Sequence, residues 1–197
     1  MTKKQDSYQR ILDVAEHLTQ TVGYNAFSYH DIAEEVDIKT SSIHYHFPTK
    51  ADLGKAVVKK HIDDLCNELE QLINNKKLSC RKKLELFIDN IVAKTYLADR
   101  KMCLGGMLAS DVLTLPEPMQ YEVRIFFNRL ENWLERLLTE AAEKKEFHIE
   151  KNIKSEVMFI LSLLEGSLLL ARLFQNAEHL TAAKKQIIAR LMRNNGG

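Results

Sequence analysis

A short polar segment, residues 39–50 with the sequence KTSSIHYHFPTK, is the part of the chain whose residue types and spacing best fit a chemical task. Ile43 and Phe47 are four residues apart, so on a helix they share one face, which we expect to pack inward. The other helical positions carry mostly hydroxyls and imidazoles: Lys39, Thr40, Ser41, Ser42, His44, Tyr45 and His46. Such groups can reach base edges or phosphate oxygens without filling a DNA groove.

Start and stop signals place this segment behind two other helices. The first ends at Gly23, and Ser28 followed by Asp31 predicts an N-cap with an acidic capping box for the second. A tight turn then leads to a third helix from Thr40 to Phe47, which Pro48 stops. Two short helices joined by such a turn form a helix-turn-helix, whose second helix can enter the major groove.

Charge supports this interpretation only locally. Residues 1–61 contain eight Lys or Arg and eight Asp or Glu, whereas residues 38–60 contain five lysines and one aspartate, a net charge of +4. Ser28 and Thr49 each open a predicted helix, so we expect their free backbone amides to be available to phosphates. Lys50 adds a positive charge beside Thr49.

The stretch GYNAFSYHDIAEEVDIKTSSIHYHFPTKADLGKAV resembles the N-terminal domain of the TetR family of bacterial transcriptional regulators. The shared features are a Gly-aromatic turn, an Ile-Ala helix, a recognition helix with an aromatic-rich end, and a lysine shortly after it. The resemblance covers about residues 8–60. It implies DNA contacts by Ser28, Tyr29, Thr40, Ser41, Ser42, His44, Tyr45, His46, Thr49 and Lys50.

Three positions depart from the family pattern. Asp37 stands in the turn where the family favours glycine, although Asp can adopt the left-handed conformation at modest cost. His44 and His46 replace two tyrosines of the recognition helix. A histidine can still donate to a phosphate, and the alternative is that these two side chains only pack and cap.

The rest of the chain is predicted to be helical, because only three prolines and seven glycines occur and no strand-like alternation is present. A fourth helix runs from Thr49 past Leu72, and further helices cover about residues 80–99, 103–113, 117–145, 152–175 and 180–193. We predict an all-α protein of about nine helices. A helix-turn-helix DNA-binding domain over residues 1–48 is linked by the long helix to an effector-binding and dimerisation domain over residues 49–197.

Residues 101–138 resemble, more weakly, the effector domain of a TetR branch that contains the N-ethylmaleimide reductase repressor. This likeness rests mainly on Cys103. A thiol can sense oxidants or electrophiles if its pKa is lowered and it can be reached, whereas a buried cysteine usually fills apolar space, and both roles stay open here. We assign a pocket or sensor for a mostly apolar or electrophilic effector to Cys103, Met102, Met107, Phe127 and Trp133.

Helices 8 and 9 carry more apolar residues than one chain is expected to cover. In the TetR family these helices form a four-helix interface between two subunits. The resemblance therefore assigns a homodimer interface to Ile160, Leu164, Gly166, Leu168, Ile187 and Leu191. A twofold dimer fits a palindromic operator, since each half-site is read by one recognition helix.

Composition argues against other classes of protein. The net charge of +1 excludes a histone-like polycation, and three scattered cysteines with no secretory signal predict a reducing cytoplasm. The longest apolar stretch, Val157 to Phe174, contains Glu165 and Arg172 and is predicted to be too short and too charged to span a bilayer.

Catalytic motifs are also missing from the sequence. No G-x-G-x-x-G, P-loop, H-E-x-x-H or G-x-S-x-G pattern occurs, and His44 and His46 point about 160° apart on an ideal helix, so they cannot share a metal ion. We predict no enzyme activity, no cofactor and no metal site. A helical protein-binding adaptor would explain helices 8 and 9 but not the polar segment. The favoured hypothesis is a homodimeric repressor whose partners are double-stranded DNA, a second copy and an unidentified effector.

Overall fold

The computed structural model describes residues 3–149 and 152–192, and within these ranges the chain is helical without a strand. Its nine α-helices there are α1 (Lys3–Thr21), α2 (Tyr29–Val36), α3 (Thr40–His46), α4 (Lys50–Ile73), α5 (Cys80–Lys94), α6 (Leu104–Ser110), α7 (Glu117–Glu143), α8 (Ile153–Phe174) and α9 (Glu178–Met192). Two short 3-10 helices cover Tyr24–Ala26 and Val112–Thr114. The predicted all-α class is confirmed.

The end of α5 differs from the prediction, because the helix stops at Lys94 rather than near residue 99. The Thr95 hydroxyl donates to the Ile91 carbonyl at 2.6 Å, and Asp99 and Arg100 both have positive φ, at 73° and 52°. Neither glycine nor proline marks this loop in the sequence, so the ordinary breaker signals could not predict it.

The chain divides into two compact units. The first comprises residues up to 64 together with 103–127, and the second comprises residues 65–102 together with those from 128 onward. This division differs from the predicted boundary between residues 48 and 49, because α6 and the first part of α7 pack with the N-terminal helices. The boundary predicted between residues 48 and 49, which separates a DNA-binding domain from an effector-binding domain, stays a prediction.

The first unit has a core shared by α1, α2 and α3. Ile11, Ile32 and Ile43 are completely buried, one on each helix. In the same unit Gly105 of α6 lies so close to Phe126 that an added Cβ would come within 2.2 Å of the ring. A larger residue at that position would therefore require the ring to move.

The second unit is built around α5, the C-terminal part of α7, α8 and α9. Trp133 is buried, and its ring centroid lies 4.9 Å from that of Phe87. The ammonium of the buried Lys83 donates to the Ile73 carbonyl at 2.6 Å and lies 3.5 Å from Glu140. Since the last carbonyls of a helix lack partners within the helix, Lys83 caps the end of α4.

By length and composition α8 could cross a membrane, so the prediction that this stretch is too short and too charged is wrong on that criterion. Within its unit, α8 packs along α9, and Arg190 forms a two-pronged ion pair with Glu156 at 2.6 and 2.8 Å. A core helix of a folded domain meets the same criterion.

Candidate nucleic-acid interface

The turn between α2 and α3 brings the predicted recognition segment to the surface of the first unit. Ser28 caps α2 with its hydroxyl, which accepts from the His30 amide, while Asp31 accepts from the Ser28 amide at 2.6 Å, completing the predicted capping box. Asp37 ends α2 with φ 56° and ψ 55°. The left-handed turn predicted for Asp37 is confirmed.

The two sides of α3 differ sharply in exposure. Ile43 is 0% exposed and Phe47 is buried, whereas Tyr45 is 69% exposed. The exposed or half-buried polar side chains of the segment are Lys39, Thr40, Ser41, Ser42, His44, Tyr45 and His46. The inward packing predicted for Ile43 and Phe47 is therefore confirmed, and α3 presents a polar outer surface.

The two histidines of α3 also have internal contacts. The ring centroid of His46 lies 5.6 Å from that of Tyr8 on α1, and its Nε2 lies 3.4 Å from the Ser7 hydroxyl. The Nδ1 atom of His44 lies 3.3 Å from the Pro48 carbonyl. Both histidines therefore help to fix α3, and only His44 is exposed enough to face a ligand freely.

Acidic side chains occupy the helix N-termini that the sequence assigned to phosphates. Asp31 accepts from the Ser28 amide, and Asp52 accepts from the Thr49 amide at 3.0 Å and from its hydroxyl at 2.7 Å. Hydrogen bonds from the Ser28 hydroxyl and amide hold the pKa of Asp31 below its ordinary value. These two amides are therefore not free, which corrects the expectation.

Tyr29 is placed differently from the prediction. Its side chain is 8% exposed, and its hydroxyl donates to the Phe47 carbonyl at 2.9 Å. Burial, together with the charge of Asp52, raises the pKa of Tyr29 to about 12. A hydroxyl held inside the unit by this bond cannot reach a phosphate, so Tyr29 joins the end of α3 to α2 instead.

Lys50 has a similar internal role. Its ammonium donates to the Tyr24 carbonyl at 2.6 Å and to the Phe27 carbonyl, and it lies 4.6 and 4.3 Å from the centroids of the Tyr24 and Phe27 rings. Burial lowers the pKa of Lys50 from its ordinary value. The ammonium joins the start of α4 to the loop before α2, which differs from the phosphate contact predicted for Lys50.

The predicted effector residues fall into both compact units. Cys103, Met107 and Phe127 belong to the first unit and are half-buried, whereas Met102 and Trp133 belong to the second and are buried. The indole N–H of Trp133 donates to the Leu69 carbonyl at 2.8 Å, which makes this side chain part of the packed core. Cys103 is the residue that precedes α6.

The other two cysteines differ in their surroundings. Burial, with further contributions from Glu140 and Glu146, raises the pKa of Cys80 to about 11, so its thiol stays protonated at neutral pH. Cys66 is half-buried. Within the described ranges, no group of three or more His, Cys, Asp or Glu side chains is arranged to hold a metal ion.

Five of the six residues assigned to a dimer interface lie inside the chain's own core. At most 3% of each is exposed: Ile160, Leu164, Leu168, Ile187 and Leu191. They pack within the second unit and cannot meet a second copy at the surface, so this assignment is corrected. Only Gly166 is exposed, with no atom within 4 Å of an added Cβ.

The exposed apolar residues of the two helices were missed by the sequence reasoning. On α8 and α9 they are Met158, Leu169, Leu170, Leu173, Phe174 and Met192. The α8 positions recur at helical spacing on the side opposite Leu164 and Leu168, together with Gly166. Because α8 is apolar on both sides, its periodicity does not show which side packs on α9. We call this exposed set the α8–α9 outer face.

Comparison with known families identifies the class of protein that carries this site. The model for bacterial regulatory proteins of the TetR family matches residues 11–57, and the model for the tetracyclin repressor-like C-terminal domain matches residues 81–187. The chain therefore belongs to the TetR family of DNA-binding transcriptional regulators. The resemblance predicted from the sequence is confirmed, and the family is one of regulators that are generally not enzymes.

Individual relatives agree with this assignment. A TetR transcriptional regulator from Legionella pneumophila is 42% identical, with a TM-score of 0.88 over 93% of this chain and 96% of that one. Reduced NemR of E. coli shares the fold at 16% identity, with a TM-score of 0.83 over 97% of this chain and all of that one. The nucleoid occlusion factor SlmA of Vibrio vulnificus (strain YJ016) is 22% identical over 85% of this chain and 84% of its own length.

The role found for Tyr29 gives a testable prediction. Tyr29→Phe removes the donor to the Phe47 carbonyl and should lower the free energy of unfolding at pH 7 by about 1–2 kcal/mol. Tyr121→Phe, the same change at a position that is 62% exposed, should stay within about 0.5 kcal/mol of the wild type. Urea denaturation monitored by circular dichroism measures both changes.

The pH dependence of the stability difference between the wild type and Tyr29→Phe provides a control. Folding favours the neutral phenol of Tyr29, so its stabilising contribution is complete below the ordinary pKa of 10 and declines as the pH rises through about 12. The difference between wild type and Tyr29→Phe should therefore shrink over this range. An equal loss of stability in Tyr121→Phe, or a difference that does not change with pH, would contradict this role of Tyr29.

Proposed function

We propose that this protein is a homodimeric repressor that places α3 of each subunit in the major groove of a palindromic operator. The observation that carries the proposal is the polar outer surface of α3, held rigidly by buried Ile43 and Phe47. Half-sites one helical turn apart would each receive one α3. Such a protein acts in the cytoplasm, where its DNA is.

The proposed contacts differ in kind. Ser41, Ser42, His44 and Tyr45 are exposed along α3 and are the side chains proposed to meet base edges or nearby phosphates, with half-buried Thr40 at the start of the helix. The proposed contacts to the phosphate backbone of DNA come from the exposed side chains of Ser28, Lys39 and Thr49, each of which directly precedes a helix. His46 is proposed to act mainly by holding α3 against α1, because its side chain is half-buried and its ring contacts Tyr8.

Operator binding can be tested with a duplex that the wild-type protein enriches from a random-sequence DNA pool. Lys39→Gln should weaken binding to this selected duplex and reduce the slope of log affinity against log salt by about 0.9, since one phosphate contact is lost. Lys76→Gln removes an exposed lysine of the second unit and should leave the slope unchanged. Fluorescence anisotropy at several salt concentrations measures both.

Two results would count against this proposal. The first is that no duplex is enriched from the pool. The second is that Lys39→Gln and Lys76→Gln change the salt slope equally, because the lysine at the start of α3 would then have no particular place at the DNA.

The α8–α9 outer face is proposed as the dimer interface. Its leucines, methionines and Phe174 expose apolar surface to water in a single chain, and a second copy would cover that surface. Gly166 leaves room for the backbone of the second copy. Exposed apolar surface of this extent typically marks an interaction site. In a twofold dimer the α8–α9 outer face of one subunit contacts the same face of the other, as an isologous interface requires.

Leu173→Glu should convert the dimer to a monomer, because it places a carboxylate on each side of an apolar contact. The matched control is Leu97→Glu, since Leu97 is as exposed as Leu173 (68% against 67%) but lies outside α8 and α9. Light scattering after size exclusion gives the masses, and the monomer should lose affinity for the selected duplex. A wild type that is already monomeric, or a dimeric Leu173→Glu variant, would remove this interface.

We propose further that a mostly apolar or electrophilic small molecule releases the protein from DNA. Half-buried Cys103, Met107 and Phe127 supply an apolar, polarisable surface in the first unit, with one thiol at the start of α6. Binding there would lower DNA affinity through a coupling of about 1–3 kcal/mol. Release from DNA could follow either from reversible binding of an apolar ligand or from reaction of an electrophile with the Cys103 thiol.

N-ethylmaleimide distinguishes the two routes. If Cys103 is the sensor, the reagent should release the wild-type protein and Cys66→Ser from the selected duplex but leave Cys103→Ser bound. Cys80 should not contribute, because its raised pKa keeps it in the unreactive thiol form. Equal release of Cys103→Ser would show that Cys103 only fills space.

A further inference from the structure

Helix α1 connects the recognition segment to the rest of the first unit. Near its start, the ring of Tyr8 stacks on Phe47 with 5.1 Å between centroids. Two residues later, the Arg10 guanidinium donates to the Val36 carbonyl at the end of α2, at 2.8 Å. The positions of α2 and α3 therefore follow the position of α1.

The next turns of α1 meet α4 through a compact group of charges, which we call the α1–α4 clasp. Glu16 lies at its centre, with Oε1 2.7 Å from His61 Nδ1 and Oε2 3.6 Å from Lys60 Nζ. Lys60 also lies 3.4 Å from Asp13 and 3.1 Å from Asp64. The Glu16 side chain is only 18% exposed, so its contacts are partly shielded from water and salt.

His61 of α4 contacts side chains of two other helices. Glu16 of α1 lies 2.7 Å from its Nδ1 atom, and the Phe126 ring of α7 lies 5.7 Å away between centroids. Burial alone would raise the pKa of Glu16, but the His61 hydrogen bond and the charges of His61 and Lys60 hold it below its ordinary value. Glu16 is therefore ionised at neutral pH.

The sequence connection between α3 and α4 is short. Only residues 47–49 separate them, so we expect a small rotation of α4 against α1 to change the orientation of α3 at the surface of the first unit. The clasp is the charged contact that opposes such a rotation, because it joins the middle of α1 to α4 about three turns beyond the start of α4.

We propose that Glu16 is a positioning residue for DNA binding, which sets the angle of α3 by holding His61 and Lys60 of α4. The proposal depends only on DNA binding by the chain and applies equally to a repressor or an activator. Since Glu16 lies on α1 and not on α3, its effect on DNA affinity would pass through the position of α1.

Electrostatics and positioning predict opposite results when Glu16 is changed. Removing a carboxylate from a DNA-binding domain ordinarily strengthens its attraction to phosphates. The proposal instead expects Glu16→Ala to bind the selected duplex at least about fivefold more weakly, the lower end of typical coupling between sites. Its salt slope should match the wild type, because no phosphate contact is lost.

Glu35→Gln is the matched control, because it removes an equal charge from an exposed position of α2 outside the clasp. It should bind as tightly as the wild type or more tightly. If Glu16→Ala proves poorly folded by thermal unfolding, His61→Phe tests the same contact from α4, since it keeps an aromatic ring against Phe126 but cannot bond to Glu16. The proposal is overturned if folded Glu16→Ala or folded His61→Phe binds as tightly as the wild type.

Rescue by a conservative variant separates positioning from a general loss of packing. Glu16→Gln keeps a side-chain oxygen that can accept from His61, so it should recover most of the affinity that Glu16→Ala loses. Equal losses in the two variants, at equal thermal stability, would overturn positioning through His61, whereas failure to enrich any duplex would instead defeat DNA binding itself.

Discussion

The burial of one side of α3 is the constraint on which the remainder of the interface depends. A helix of seven residues does not hold its shape alone in water, so its conformation must come from contacts with its neighbours. Ile43 and Phe47 provide those contacts, with the Tyr8 ring stacked on Phe47 and the Tyr29 hydroxyl bound to its carbonyl. The polar outer surface of α3 is rigid because its apolar side is fixed in this way.

Internal hydrogen bonds account for several polar groups that the sequence assigned to DNA. Asp31 and Asp52 accept from the amides of Ser28 and Thr49, the residues before α2 and α4, and the Lys50 ammonium binds carbonyls of the loop before α2. A partly buried donor without a partner destabilises the fold, so the Lys50 ammonium binds the nearby carbonyls. Other side chains of the segment, such as Tyr45, lie mostly at the surface.

The pairing of α8 with α9 divides their apolar residues between two tasks. Leu164 and Leu168 pack inside the unit, while Leu169 and Leu173 form part of the α8–α9 outer face. Adjacent residues on one helix point about 100° apart, so a single apolar run supplies both a core and an exposed strip. The helix that meets the membrane-length criterion is therefore a partly buried helix whose remaining apolar side is exposed.

The sequence by itself determined the nine helices over the described residues, the capping of α2 by Ser28, the turn at Asp37 and the membership of the TetR family. These features depend on local rules, since caps, breakers and the 3.6-residue period act between residues near in the chain. Only the tertiary structure decided that Tyr29 and Lys50 face inward, that the predicted dimer residues form the core, and that Glu16 meets His61. Those outcomes depend on which helices touch, and periodicity fixes the sides of a helix without naming the neighbour against each side.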